Sequence, residues 1–405
     1  MPLFSFTARD NDGKKTSGTL EADSKEGAMK ILTEKNLIVT KVTPLKIKKQ
    51  NPLSFLGVGQ MKIKGEELLL FTQELASMLS AGINMRRALD IISADVDNPD
   101  LKQIVFELLT GIGEGKPLSE LFKKYPEVFS KLYVSMVEAG ETSGKLPDIL
   151  LRLATYIENA ENLKKKVQGA FYYPVIVLVL SLFITAFIFI FGIPRIKSIY
   201  DQLGGDLPVF TKVFIDLSTF ISQNLFFIVP LLILLVIALT YISKTEQFKY
   251  FMDNFKLKNK LLGPIFQRLA IARFSRTLSA LYTSGVPLLQ AMEIVSTSMG
   301  NIIMEKAVRT SIKKLAEGET LADPLRDTNV FTQMAISMLS AGEEAGTLGT
   351  MLDKLADFYE TQVELSIRAL SDLIEPLIMV FIGIIIGVLI LVLALPFMQL
   401  STVLH

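Results

Sequence analysis

Cysteine is absent from the 405 residues, and histidine occurs once, as His405. The first absence excludes a disulfide, a thiolate nucleophile and a thiolate metal site. The second removes Ser–His and Cys–His catalysis and any histidine-based metal centre. A surplus of charge is missing too: 42 basic against 41 acidic residues leave a formal net charge of +1, which argues against nucleic-acid binding over the whole chain. No charged n-region followed by a short apolar core and a small-residue cleavage site opens the chain, so a secretory signal is not expected. Two glycine-rich stretches fail as phosphate loops. In Gly111-Ile-Gly113-Glu-Gly115-Lys116 the first glycine comes one residue too late for G-x-x-x-x-G-K, and Pro117 stands where a magnesium-binding Ser or Thr belongs. Gly140-Glu-Thr-Ser-Gly144-Lys145 fails on the same grounds. The abundant Asp and Glu residues read as solvated helix faces. The sequence therefore predicts no catalytic residue, no cofactor and no metal, and a protein that is not an enzyme.

What is present in excess is apolar sequence, gathered in three places. Phe171–Ile193, Leu225–Ile242 and Pro376–Met398 contain no Asp, Glu, Lys, Arg or His. About 20 apolar residues cross the hydrocarbon core as a helix, so three transmembrane helices are expected, over 171–193, 223–242 and 376–398. Basic residues orient them. Lys164, Lys165 and Lys166 precede the first span, and Lys244, Lys249, Lys256, Lys258 and Lys260 follow the second. The segment between carries fewer, mixed with Asp201, Asp206 and Asp216. The expected topology is a multi-pass inner-membrane protein with a cytoplasmic N-terminus, an extracytoplasmic 194–222 loop and an extracytoplasmic 399–405 tail.

The chain also says the same thing twice. Phe71…Leu75…Ala81-Gly82…Ala88…Ile91 returns as Phe274…Leu278…Ser284-Gly285…Ala291…Ile294, shifted by 203 positions. Ser135-Met136…Ala139-Gly140-Glu141…Gly144…Leu146 returns as Ser337-Met338…Ala341-Gly342-Glu343…Gly346…Leu348, shifted by 202, so one residue is lost between the blocks. Each copy runs into a proline-framed span. Two parallel copies that both enter the membrane from the cytoplasm need a return helix between them, which Leu225–Ile242 supplies. The expected fold class is an all-α membrane protein: two duplicated cytoplasmic six-helix bundles (66–170 and 264–375), three transmembrane helices and a small N-terminal α+β module (1–45). A basic linker (46–65) and a basic connector (243–263) join the parts.

In the module, Leu3–Thr7 alternates like a strand, Thr16–Ala22 can return, Ser24 can cap a helix over Glu26–Glu34 with Ala28, Ile31 and Leu32 inward, and Ile38–Val42 can be a third strand. The linker lysines are a solvated tether or, alternatively, a feature attracted to anionic headgroups. In each bundle Gly82 and Gly285 sit where a helix needs a left-handed end. The Ala-Gly-Glu-x-x-Gly corners are the most specific local signal, with two glycines flanking a helix connection. Glu141 and Glu343 would then favour the next helix N-terminus; the alternatives are a docking surface or an oxygen-ligand cation site shared with Glu138 or Glu344. Tyr173-Pro174 and Glu375-Pro376 mark where cytoplasmic helices meet the membrane, with proline able to break the hydrogen-bond ladder and set an angle. Gly383-Ile-Ile-Ile-Gly387 permits close helix packing, within the chain or between subunits.

At this point the chain resembles a family: the polytopic inner-membrane platform proteins of type IV pilus and type II secretion machines. The resemblance rests on Phe4-Ser-Phe-Thr-Ala8…Gly13…Gly18…Glu21-Ala22, on Gly82, on the Gly140-Glu141-x-x-Gly144 corner with its Gly342–Gly346 partner, and on Glu375-Pro376. It implies an assembly platform that oligomerises, is engaged by a cytoplasmic hexameric ATPase, and hands pilin or pseudopilin subunits from the bilayer to a growing fibre beside other inner-membrane assembly proteins. The competing readings are a small oligomeric transporter or channel, disfavoured by spans without ionisable residues, and a membrane-tethered scaffold.

Overall fold

The computed structural model describes residues 3–9, 15–22, 24–34, 38–44, 62–195, 209–243 and 245–403. The chain divides into two compact units, Met1–Lys62 and Ile63–His405.

In the first unit, strands β1 (Leu3–Arg9), β2 (Lys15–Glu21) and β3 (Ile38–Pro44) form one antiparallel sheet in the order β2-β1-β3. Phe4 pairs with Leu20 on one side, and Phe6 with Val42 on the other. Helix α1 (Lys25–Glu34) packs on β3, and the Ser24 hydroxyl accepts the Gly27 N–H at 3.0 Å. Leu32 is buried, as expected. Ile31 is not: it is 37% exposed, because one turn of a short helix offers the sheet only a narrow stripe. The turn at Asn11–Gly13 and the basic linker over 46–61 lie outside the described residues.

In the second unit the first bundle comprises α2 (Gly65–Ser80), α3 (Met85–Asp95), α4 (Pro99–Gly113), α5 (Leu118–Phe122), α6 (Lys131–Ser143) and α7 (Leu146–Phe187). The starts follow from capping. Asn84 accepts from the Arg87 N–H, Asn98 caps a helix that opens on Pro99, and Ser130 accepts from the Tyr133 N–H. Of the apolar stripe on α2, Phe71, Thr72 and Leu75 are buried, while Leu68, Met78 and Leu79 are half-buried. The core is aromatic: Phe122 and Phe129 lie 4.1 Å apart, and Tyr133 lies 4.9 Å from Phe129 and 5.1 Å from Phe122.

After α7 come a π-helical turn (Ile188–Gly192), then α8 (Val209–Gln223), α9 (Leu225–Ile242) and α10 (Glu246–Lys258). The segment expected to be an extracytoplasmic loop thus contains a helix, α8. Its Thr211, Ile215 and Ser218 recur every three or four residues and are buried against the π-helical turn and the last helix. Ser218 donates to the carbonyl of Phe189, and Ile193, Ile215 and Val392 form a small apolar core. The expected connector likewise contains α10.

The second bundle comprises α11 (Gly263–Thr283), α12 (Leu288–Ser298), α13 (Ile302–Ala316), α14 (Ala322–Asp327), α15 (Gln333–Glu344) and α16 (Leu348–Val403). Its six helices follow the order of α2–α7. Helices α7 and α16 run side by side in the same direction. Lys166 pairs with Glu364 at 2.6 Å, Ser371 donates to the Ala170 carbonyl at 3.3 Å, and Tyr156 meets Thr277 of α11 at 3.3 Å.

Leu146–Arg195 and Leu348–Val392 are long and apolar enough to cross a membrane. Helix α9 is an 18-residue apolar rod, and every side chain described between Phe226 and Ile242 is exposed. Pro174 and Pro376 lie inside α7 and α16, which continue through them without a break. The expected interruption is absent because proline removes a single donor, and the flanking ladder of a long apolar helix carries the chain across.

Candidate functional site

The repeated corners are the features most marked by sequence, and the structure resolves their parts. Gly144 and Gly346 close α6 and α15 with φ of +68° and +66°. In each, the next residue's N–H returns to the earlier glycine's carbonyl: Lys145 to Gly140 at 3.0 Å and Thr347 to Gly342 at 2.8 Å. Gly82 and Gly285, at +81° and +86°, end α2 and α11 in the same way, with Ile83 N–H on Met78 and Val286 N–H on Leu281. These are Schellman closures, which L side chains adopt only with strain.

Gly140 and Gly342 do a different job. They do not flank the connection, as the sequence suggested, but lie inside α6 and α15, which run on to Ser143 and Glu344. A Cβ on Gly140 would stand 3.1 Å from the Leu146 Cα and 3.2 Å from Ile149; one on Gly342 would stand 2.8 Å from the Met351 Cβ. At each glycine the next helix comes close enough that a Cβ would crowd it.

Glu141 and Glu343 are correct as N-terminal caps but reach a different helix from the expected one. Glu141 accepts the Leu118 N–H, the Ser119 N–H at 3.2 Å and the Ser119 hydroxyl at 2.6 Å, at the start of α5. Glu343 accepts the Leu321 N–H at 2.9 and 2.8 Å, just before α14. The carboxylate turns back to the preceding short helix because that helix presents unsatisfied amides beside it. Both copies repeat this bond over 23 and 22 residues, which puts the missing residue of the second copy between Leu321 and Glu343. Phe129 follows Leu118 by 11 and Phe331 follows Leu321 by 10, so the loss lies before Phe331.

The cation reading gains no support here. Glu138 pairs with Lys123 at 3.2 Å, and Glu344 accepts from the Ser340 hydroxyl at 3.0 Å. No group of three His, Cys, Asp or Glu side chains able to hold a metal lies among the described residues.

The fold brings one corner to the other copy. Ser135, Glu138, Ala139 and Thr142 of α6 face Ser284, Gly285, Pro287 and Gln290 across a groove of about 330 Å³. Sequence gave no sign of this meeting of the first corner with the second copy's Gly285 turn. It also missed Arg276. That guanidinium is 12% exposed and bonds both oxygens of Glu360 at 2.9 Å, Asp353 at 2.6 Å and Asp357. Burial lowers its pKa, but the bonds to Glu360 and Asp357 outweigh that and raise it. The first copy has Gln73, Leu151 and Thr155 in place of Arg276, Asp353 and Asp357 and keeps only the acid, as Glu158, so only an alignment of the two copies could have flagged it.

The remaining positions are laid open. Glu375 and Pro376 are exposed and Pro174 is half-buried on their helices. A Cβ on Gly383 or Gly387 would meet nothing within 4 Å, so neither serves close packing within the chain.

A predominantly helical protein whose two longest helices can each cross a membrane, with its marked residues spent on helix ends and crossings, is the class defined so far. The sequence comparisons narrow it. Residues 71–194 and again 274–396 match the family described as Type II secretion system (T2SS), protein F, and residues 1–43 match the N-terminal domain of that protein. The chain belongs to this family. It is 35% identical to the type IV pilus assembly protein PilC of Pseudomonas aeruginosa, covering 89% of this chain and 96% of that one. It is 33% identical to PilC of Myxococcus xanthus, over 94% and 90%. It is 27% identical to the type II secretion system protein F of Vibrio cholerae over the full length of both.

Proposed function

We propose that the chain is a non-enzymatic inner-membrane platform of a type IV pilus or type II secretion machine. Three helices cross the bilayer: the apolar parts of α7 and α16, with α9 as the return. Both bundles lie in the cytoplasm. A hexameric assembly ATPase engages them, the chain oligomerises, and pilin or pseudopilin subunits pass from the bilayer into the fibre. The observation that carries this reading is the double family match on two bundles whose last helices continue unbroken into apolar segments. A rigid helix of this length transmits displacement along its axis, so a push on either bundle reaches the membrane.

The test is biochemical. The purified chain hydrolyses no ATP unaided and co-purifies with the hexameric ATPase and with prepilins; hydrolysis by the chain alone sinks the reading. The corners require a gentler probe than charge reversal. Lysine at 141 or 343 strips a cap and unfolds a turn, so loss of fibres there would report folding. Glu138→Ala and Thr142→Ala, on the exposed side of the corner, leave the caps intact. Normal fibres in both variants count against the corner as a docking surface.

A further inference from the structure

Helix α10 carries a surface that the bundle does not use. Asp253 is buried and holds the helix to the start of α13: its carboxylate accepts the Ile302 N–H at 3.0 Å, and its carbonyl accepts from Asn301 at 3.3 Å. The opposite face is apolar and bare. Phe251 is 64% exposed and Phe255 56%, with Lys258 on the same stripe at i, i+4 and i+7. Leu261, just past the helix end, is 70% exposed. Lys258 and Lys260 are exposed and make no ion pair among the described residues; Lys249 and Glu246 are exposed on the Asp253 side of the helix.

The location says what covers this face. Helix α10 begins at Glu246, shortly after the apolar α9 ends at Ile242, and Tyr241 at the end of α9 is exposed as an interfacial aromatic would be. A helix of 13 residues is about 20 Å long, so all of it stays near the point where α9 leaves the bilayer. Aromatics flanked by unneutralised lysines suit the headgroup layer of an anionic leaflet.

We propose that α10 is an interfacial anchor: it lays Phe251 and Phe255 into the cytoplasmic leaflet and holds anionic phospholipid headgroups with Lys258 and Lys260. The inference rests on α9 crossing the membrane. Through Asp253 the anchor fixes the start of α13 close to the bilayer.

The absence of cysteine makes the test clean. Single-cysteine variants Phe251→Cys, Phe255→Cys and Val236→Cys of the full chain are labelled with a fluorophore. They are reconstituted in nanodiscs of brominated phosphatidylcholine, with or without phosphatidylglycerol. The labels at 251 and 255 are expected to be quenched by the brominated lipid, at least about twofold more with phosphatidylglycerol present. Changing Lys258 and Lys260 together to Gln abolishes the increase. Quenching by aqueous iodide instead, or indifference to phosphatidylglycerol, overturns the proposal. Shielding from both quenchers assigns the face to a second copy or another protein and overturns it equally. The Val236 label separates the two levels. If it is lipid-quenched while 251 and 255 are not, the anchor alone fails. If it is reached by iodide, the three-crossing topology fails with it.

Discussion

Thr72 and Tyr133 share a hydrogen bond of 3.1 Å inside the first bundle, and the second bundle holds neither partner. Ser275 replaces Thr72 and Ala335 replaces Tyr133. The Ser275 hydroxyl is the single buried side-chain polar atom without a partner among the described residues. The tyrosine has moved: Tyr359 stands where the first copy has Ile157 and reaches Thr332, one turn before Ala335. The phenol is thus relocated and not lost: the two positions hold Tyr and Ile in the first copy and Ala and Tyr in the second. Thr72→Val therefore strands the Tyr133 hydroxyl and costs about 1–3 kcal/mol, whereas Ser275→Ala is neutral or stabilising. Denaturant unfolding of the detergent-solubilised chain distinguishes them. A Ser275→Ala loss as large as that of Thr72→Val refutes the account.

The helix crossings at Gly140 and Gly342 differ in tightness. Alanine at 342 meets the Met351 Cβ at 2.8 Å, and alanine at 140 meets its neighbours at 3.1 Å or beyond. Both overpack, at about 1–3 kcal/mol, with Gly342→Ala the worse. Gly82→Ala meets no atom within 4 Å, and its cost of about 1–2 kcal/mol is conformational. Met351→Gly removes both the Cβ and the Cγ that alanine at 342 meets, so it should cost less in the Gly342→Ala background than in the parent chain, and should cost as much in the Gly82→Ala background as in the parent chain.

Burial, and then the charge of Asp95, raises the pKa of Glu74 above the ordinary carboxylate value. A carboxyl raised on folding binds its proton more tightly in the native state, so its stabilising contribution is present at low pH and is lost as pH rises through the raised value. Glu74→Gln should therefore be more stable than the parent chain at pH 7. The gain should vanish below about pH 4.3, where the unfolded carboxyl is protonated too. Melting temperatures across that range check the sign.

Arg276 ties α11 to three acids spaced along α16. Arg276→Met leaves Asp353, Asp357 and Glu360 on one helix face without their cation and is expected to cost about 2 kcal/mol. Adding Glu360→Gln to Arg276→Met should return part of that loss. In the first copy, Gln73→Met should cost much less, since no such cluster faces it. Equal losses in the two copies would show that the ion cluster adds nothing.

Much of this was legible in the residues. Most helices of the two bundles carry a cap, a proline at the start or a left-handed glycine at the end, and those signals act within a few residues of their own position. Glu141 and Glu343 were marked by their repetition, but their partners at Leu118, Ser119 and Leu321 were not. A carboxylate has no preferred spacing to a distant amide, so nothing in the chain selects among the helix starts within its reach. Helices α8 and α10 were passed over for a related reason: short amphipathic stretches beside long apolar ones read as connections until something is seen to bury one face.

The sequence by itself determined the family, the copy-to-copy correspondence and the order of the helices, since these rest on local periodicity and on residues compared with themselves. Tertiary structure decided where the two copies diverge. The groove between Glu138 and Gly285, the cluster around Arg276 and the partnerless Ser275 all depend on which surfaces meet. That is set by side-chain volumes and hydrogen-bond geometry summed over many distant positions, and no local pattern encodes such a sum.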